Sequence, residues 1–433
     1  MSREIIQSSL DYIEDNLRAE ITAEELSRQA GFSLFHYYRL FQSATGMPVM
    51  QYITRRRLLH AVYEISLGGK MIDAALEFGF ETHAGFYKAF RREFGYTPSQ
   101  FLKKYKVKKP YRINLLREEH VMMTHKKLEE ILKQWGLEAE SLTDIVYEET
   151  GNRNENACYV GNDYVIKFSA NLGKVENSIA IAKALAGVGL TAAIPVETTK
   201  GREYYAEGEL YYYVTKRIRG TQVKAGVMYL EDYEKKARFI GEVIGQLSLA
   251  LKNIDVPAND ANILNGVMNW AIPELKGKLN VPEEFYETYA LKFGPLYPLL
   301  PKQLIHRDPN PGNIILSEDS WGFIDFELSE RNVRIFDPCY AATAILSESF
   351  VGANEEKLCR WVEIYKNLLY GYDSVAKLTE EEKVAVPYVI LSNQFMATAW
   401  FATQEKYQEL YEINKHMTEW MVGHFGEMKL DGM

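Results

Sequence analysis

The sequence predicts a multidomain chain in which an all-α head, built on a repeated helix-turn-helix, is followed by an α+β body. Three observations lead there. At 433 residues the chain exceeds the size that one hydrophobic core usually spans. Its first hundred residues carry helix-period apolar spacing in two related copies. Beyond them, short alternating segments read as strands among longer helical stretches.

Composition narrows the class. An apolar fraction of 47% and a charged fraction of 25% are ordinary for a globular protein. No apolar run reaches the ~20 residues of a membrane span, and Met1-Ser2-Arg3-Glu4 lacks the apolar core of a signal peptide. A cytoplasmic protein without a membrane partner is expected. Cys158, Cys339 and Cys359 show neither CxxC spacing nor nearby His pairs, so buried reduced thiols are expected in preference to a metal site or disulfide.

Within the head, Ile6, Leu10, Ile13 and Leu17 share one helical face. Thr22 and Glu25 form a capping box for a helix running to Ala30. Gly31 permits a turn, and Ser33 caps a second helix from Leu34 to Ala44. A second copy follows, with Ser33, Phe41 and Gly46 repeated as Thr82, Phe90 and Gly95, and Pro48 answered by Pro98. Val49 to Leu67 reads as one connecting helix of roughly 28 Å, approaching the ~34 Å between successive major-groove faces of DNA. Through Pro110 there are 16 Lys+Arg against 12 Asp+Glu, so the net charge of -9 is carried by the body.

From Ile5 to Tyr105 this pattern resembles the AraC-type DNA-binding domain, most closely in Phe94-Gly95-Tyr96-Thr97-Pro98-Ser99-Gln100-Phe101. The resemblance implies double-stranded DNA as partner. It places base-reading candidates at Phe35, His36, Tyr38 and Arg39 in one helix and His83, Ala84, Tyr87 and Lys88 in the other. Arg39 is the foremost, since a guanidinium can bond guanine in bidentate fashion. Arg55, Arg56, Arg57, Arg91, Arg92 and the lysines from Lys103 to Lys109 are expected on phosphates. The head is taken as residues 1–107 and a polar hinge or linker as 108–124.

The body, residues 125–433, opens with a short helix from Lys126 to Trp135 and a strand from Thr143 to Thr150. A polar loop, Gly151 to Asn156, follows and can bend over phosphates. Tyr164 to Phe168 is an alternating strand with a single Lys167, and Val175 to Ala186 is a helix. Tyr211 to Thr215 is a further strand, and Phe239 to Leu251 has the spacing of a core helix. The densest chemistry lies in Ile305-His306-Arg307-Asp308-Pro309-Asn310-Pro311-Gly312-Asn313-Ile314 and, after a hairpin with Gly322 in its turn, Ile324-Asp325-Phe326-Glu327. Phosphoryl transfer needs a carboxylate to orient the attacking hydroxyl, and an Asn and a second Asp to hold magnesium on the nucleotide phosphates. Asp308, Asn313 and Asp325 suit those roles.

This run resembles the catalytic loop and metal-binding motif of the aminoglycoside phosphotransferase and choline kinase family, and so implies a protein-kinase-like, two-lobed fold with lobes at about 125–220 and 221–433. By that resemblance Asp308 is the catalytic base and His306 orients the loop, while Asn313 and Asp325, assisted by Glu327, hold Mg2+ with ATP or GTP. Lys167, Glu176 and Asn152 bind the nucleotide, and Asp337 steadies the loop. The aromatic helical tail, with Trp361, Tyr365, Tyr388, Trp400, Tyr407 and Trp420, is mostly core around an acceptor pocket.

Three functions compete. The first is a sequence-specific transcription regulator whose kinase-like domain senses nucleotide, a small-molecule ligand, or both; the acidic body favours a cationic ligand. The second is an active aminoglycoside- or amine-type phosphotransferase with a DNA-binding head. The third is a kinase-like dimerisation scaffold, and a homodimer is the matching partner expectation.

Overall fold

A computed structural model describes the chain except residues 1, 106, 108, 111, 117–122, 124, 147–152, 319, 351–353, 405–406 and 431–433. It divides into two compact units, Met1–Val175 with Pro195–Arg217, and Glu176–Ile194 with Ile218–Met433.

The first unit begins with seven helices: α1 (Ser2–Asp15), α2 (Ala23–Gln29), α3 (Leu34–Thr45), α4 (Val49–Ser66), α5 (Met71–Glu77), α6 (His83–Phe94) and α7 (Pro98–Lys104). The repeat is visible in their ends. Ser33 and Thr82 accept hydrogen bonds from the amides of His36 and Gly85, and Gly46 and Gly95 close the same two helices with φ of 78° and 74°. That left-handed stop is costly for any residue with a Cβ. At α2 only half of the expected capping box forms. Thr22 accepts from the Glu25 amide, but the Glu25 carboxylate instead accepts from the Tyr12 hydroxyl at 2.6 Å. Ile6, Leu10, Ile13, Phe41, Tyr52, Phe86 and Phe90 form one core with Ile113 and Leu115 from beyond the last helix. Gln7 ties that segment down, donating to the Ile113 carbonyl at 3.0 Å and accepting from the Leu115 amide at 2.6 Å, while Arg112 pairs with Asp15.

The same unit continues with α8 (His125–Leu132), β1 (Leu142–Val146), β2 (Arg153–Val160), β3 (Tyr164–Ser169) and the start of α9 (Leu172–Gly187). β4 (Thr191–Ala192) belongs to the second unit; β5 (Pro195–Val196), β6 (Tyr205–Glu207) and β7 (Leu210–Lys216) return to the first. The antiparallel sheet runs β1-β2-β3-β7-β5, with β6 on β7. Ile166, Phe168, Tyr212 and Val214 meet Leu128, Ile131 and Leu132 of α8 in a second core.

The second unit adds β8 (Thr221–Gln222), α10 (Tyr233–Leu251), α11 (Ile263–Gly266) and α12 (Ile272–Leu275) with a π turn between them, and α13 (Glu283–Leu296). Then come β9 (Lys302–Ile305), β10 (Ile314–Leu316), β11 (Trp321–Phe323) and β12 (Glu330–Val333), and the helices α14 (Phe336–Ser349), α15 (Glu355–Val375), α16 (Glu380–Ala402) and α17 (Gln408–Gly423). Gly322, expected in the hairpin turn, lies within β11. A Cβ there would stand 2.7 Å from the Thr191 carbonyl oxygen of the parallel neighbour β4, so close strand approach explains the glycine. α10 buries Ile240, Val243, Ile244 and Leu247, whereas Phe239 is 42% exposed. Of the tail aromatics Trp361 and Tyr365 are buried; Trp400 is 41% exposed. Cys158 and Cys339 are buried free thiols, but Cys359 is exposed. Among the described residues no helix is long and apolar enough to cross a membrane.

Candidate functional site

β9 delivers the chain into the loop 306–313, and β12 pairs with β9 so that Glu330 stands opposite Ile305. His306 is buried with its ring tilted against that of Phe326, its Nε2 lying 3.0 Å from the Ile324 carbonyl oxygen. Its other ring nitrogen lies 3.4 Å from the Asp308 amide. The imidazole therefore bridges the loop to the strand end before Asp325. Arg307 takes φ of 77°, a left-handed value costly for a side chain this large. The conformation is held from three sides. Asp337 accepts the amides of His306 and Arg307 at 2.9 Å each, Glu330 accepts from Arg307 Nε at 2.9 Å, and the guanidinium lies over the Phe336 ring.

Asp308 accepts from Asn310 Nδ2 at 2.8 Å and from Asn313 Nδ2 at 3.2 Å; the same Asn313 nitrogen donates to the Asp308 carbonyl at 2.9 Å. Burial pushes the Asp308 carboxyl up to about 6, against the bond from Asn310; the nearby Asp325 charge adds to the rise, and a bond from Tyr340 opposes it. Asp337 is pushed up to about 7 by full burial, against its two backbone bonds. Tyr340 was not singled out in the sequence. It lies one turn after Asp337 on α14, stacked with Phe336, and that i+3 spacing is the signal that could have found it.

Asp325 follows β11 at φ of 71°, a left-handed value like that of Arg307. Asn313 commits its nitrogen to Asp308, which leaves its amide oxygen for another partner. Asn313 and Asp325 thus present oxygen donors, the set a hard cation such as Mg2+ requires. Glu327 lies in the short turn Phe326–Leu328, half-buried, two residues on. The structure therefore gathers Asp308, His306, Asn313 and Asp325 around one loop.

Lys167 is half-buried on β3, opposite Ala157 on one side and Tyr213 on the other. Glu176 lies near the start of α9 and is exposed. Asn152 lies outside the described residues.

In the head, Phe35 is 74% exposed, and the Arg39 guanidinium lies over its ring at 6.0 Å. His36, Arg39, His83, Ala84 and Lys88 are exposed, and Tyr38 and Tyr87 half-buried. His83 Nε2 lies 3.1 Å from the Met71 sulfur. The expectation of phosphate contacts fails for three arginines. Arg56 is 2% exposed and bonds both oxygens of Glu14 at 2.5 and 3.0 Å; Arg55 pairs with Glu93 at 3.0 Å; Arg57 donates to the carbonyls of Leu17 and Ala19. They hold α4 to α1, to α6 and to the turn that follows α1. Arg91 and Arg92 remain exposed.

The helix-turn-helix domain family matches residues 26–104, and the phosphotransferase enzyme family matches residues 149–377. The chain is 33% identical over 98 residues to the HTH-type transcriptional activator AarP of Providencia stuartii, covering 22% of this chain and 73% of that protein. It is 30% identical over 100 residues to the regulatory protein SoxS of Salmonella typhimurium, covering 23% and 94%. Two solved structures share the fold at 13% identity. One is an amicoumacin kinase in complex with AMP-PNP, Ca2+ and Ami, with a TM-score of 0.51 over 67% of this chain and 92% of that one. The other is a microcompartment-associated aminopropanol kinase, with a TM-score of 0.52 over 69% and 95%.

Proposed function

The chain belongs to the phosphotransferase enzyme family and carries an AraC-type helix-turn-helix head, and from that premise we propose that it is a sequence-specific DNA-binding transcription regulator whose kinase-like domain senses a nucleotide with Mg2+, a small-molecule ligand, or both. The observation that carries the reading is the coexistence in one chain of two capped helices with exposed polar faces and an Asp308–Asn313–Asp325 loop braced by buried Asp337. In this reading Asn313 and Asp325, with Glu327, hold Mg2+, which would neutralise nucleotide phosphate charge. Lys167, Glu176 and Asn152 contact the nucleotide, and Asp308 faces the ligand hydroxyl. Arg39 and its neighbours on α3, and His83, Ala84, Tyr87 and Lys88 on α6, face the DNA.

The intact loop also supports a second reading, a working phosphotransferase of an amine-type acceptor in which Asp308 orients the attacking hydroxyl. One experiment separates the two. A ligand with equal affinity for DNA-bound and free protein shifts nothing. Operator affinity is therefore measured by fluorescence anisotropy with and without ATP or GTP, Mg2+ and an aminoglycoside. The regulator reading expects a change of at least several-fold, about 1 kcal/mol of coupling, retained in Asp308→Asn and lost for nucleotide in Asp325→Ala. If affinity stays flat while wild-type protein, but not Asp308→Asn, phosphorylates the amine, the enzyme reading replaces it.

A further inference from the structure

His125, Asp144 and Cys158 form a cluster in the first unit that neither reading uses. Asp144 on β1 and Cys158 on β2 are direct partners across antiparallel strands. Such partners point to the same face of a sheet. α8 covers that face through Leu128, Ile131 and Leu132, and its first residue, His125, is thereby brought to the pair. His125 Nε2 is 2.7 Å from Asp144 Oδ1, and the donor atoms of all three residues lie within 4.8 Å of one another. Cys158 is 1% exposed, whereas the side chains of Asp144 and His125 are 11% and 38% exposed, so the cluster is closed beneath and open on one side.

We propose that His125 Nε2, Asp144 Oδ1 and Cys158 Sγ form a three-ligand site for a divalent transition metal of the Zn2+ class, with a fourth position open to water. The donor set selects the ion. One imidazole, one thiolate and one carboxylate suit Zn2+, whereas Mg2+ and Ca2+ take oxygen ligands. Zn2+ bonds of roughly 2.0 to 2.3 Å set tetrahedral donors about 3.2 to 3.7 Å apart. The His125–Asp144 contact of 2.7 Å must open slightly, a change that side-chain rotation can supply.

The test uses the full chain, purified free of metal and titrated with Co2+ as an optical probe. The site predicts one Co2+ per chain with a near-ultraviolet thiolate-to-metal charge-transfer band, displaced by an equivalent of Zn2+. Co2+ at the all-oxygen Asn313 and Asp325 position gives no such band, so failure of the nucleotide reading and failure of this one are distinguishable. Cys158→Ser should abolish the band and Cys359→Ser should keep it. Asp144→Asn and His125→Gln should each weaken Co2+ binding by at least about 100-fold, since loss of a ligand exceeds the loss of an outer partner. Absence of the band in wild-type protein, or its survival in Cys158→Ser, overturns the proposal. Should Cys158→Ser lose its native circular dichroism, His125→Gln decides, and unchanged Co2+ affinity there overturns it.

Discussion

Arg39 and Arg56 bear the same group in opposite surroundings. Arg39 is exposed on α3 beside Phe35, free to reach a base edge, and Arg39→Ala should weaken operator binding by about 1 to 3 kcal/mol and relax preference at one base pair. Equal loss on every sequence tested would make it a phosphate contact instead. Arg56 is spent on Glu14, whose carboxylate also lies 3.4 Å from His60 Nε2. Burial pushes the Glu14 carboxyl up, but the contacts with His60 and Arg56 outweigh it and hold the group below its ordinary value of 4.5. A depressed native value contributes stability above the unfolded carboxyl range, and that stability is lost as pH falls through the lowered value. Glu14→Gln removes the charge that buried Arg56 faces. It should cost about 3 to 5 kcal/mol at neutral pH and flatten the acid limb of a melting-temperature profile. Identical acid slopes in wild type and variant would count against this account.

Among the elements, α10 and α15 cross where Gly241 faces the Leu368 carbonyl and Gly371 faces that of Arg238; a Cβ at either position would collide with the opposite backbone. Gly241→Ala should therefore destabilise the body by about 1 to 3 kcal/mol or more, read by denaturant unfolding, whereas exposed Gly226→Ala should be nearly neutral. Neither glycine can be picked out in the sequence, because its partner lies more than a hundred residues away. What was legible was local. Caps at Ser33 and Thr82, the stops at Gly46 and Gly95, and the β3 and β7 strands all follow from neighbours in the chain. The acid loop was legible because its bonds run over two to five residues, from Asn310 and Asn313 back to Asp308. Arg55, Arg56 and Arg57 read as one basic patch in the sequence, but consecutive helical residues point about 100° apart and meet different partners, Glu93, Glu14 and the Leu17 carbonyl. Phe239 belongs to an apolar run broad enough to fit two faces of α10, and only packing chooses between them. Gly322 reads as a turn glycine in the sequence because the parallel neighbour that requires it, β4, is set by tertiary structure.

At the scale of the molecule, the head's packing extends through Leu115, beyond the last helix. A fragment ending at residue 116 should accordingly melt higher than one ending at residue 110, which lacks the Ile113 and Leu115 side chains, 2% and 5% exposed in the intact chain. Equal melting temperatures would show that the segment is only lying on the surface. The bonds from Gln7 to Ile113 and Leu115 span 106 and 108 residues, whereas the contacts that join α2 to α3 and α5 to α6 are short-range. Long loops close late, after local pairs have repaid part of their entropy. During synthesis, then, α1 emerges ahead of the rest of the head yet receives its last partner only when the hinge has cleared the ribosome. Until that moment its Ile6 and Leu10 face lacks part of its cover, and chain growth itself sets when the head becomes complete. Substitutions in the clasp should act mainly on how fast the finished head opens, and little on how fast it forms.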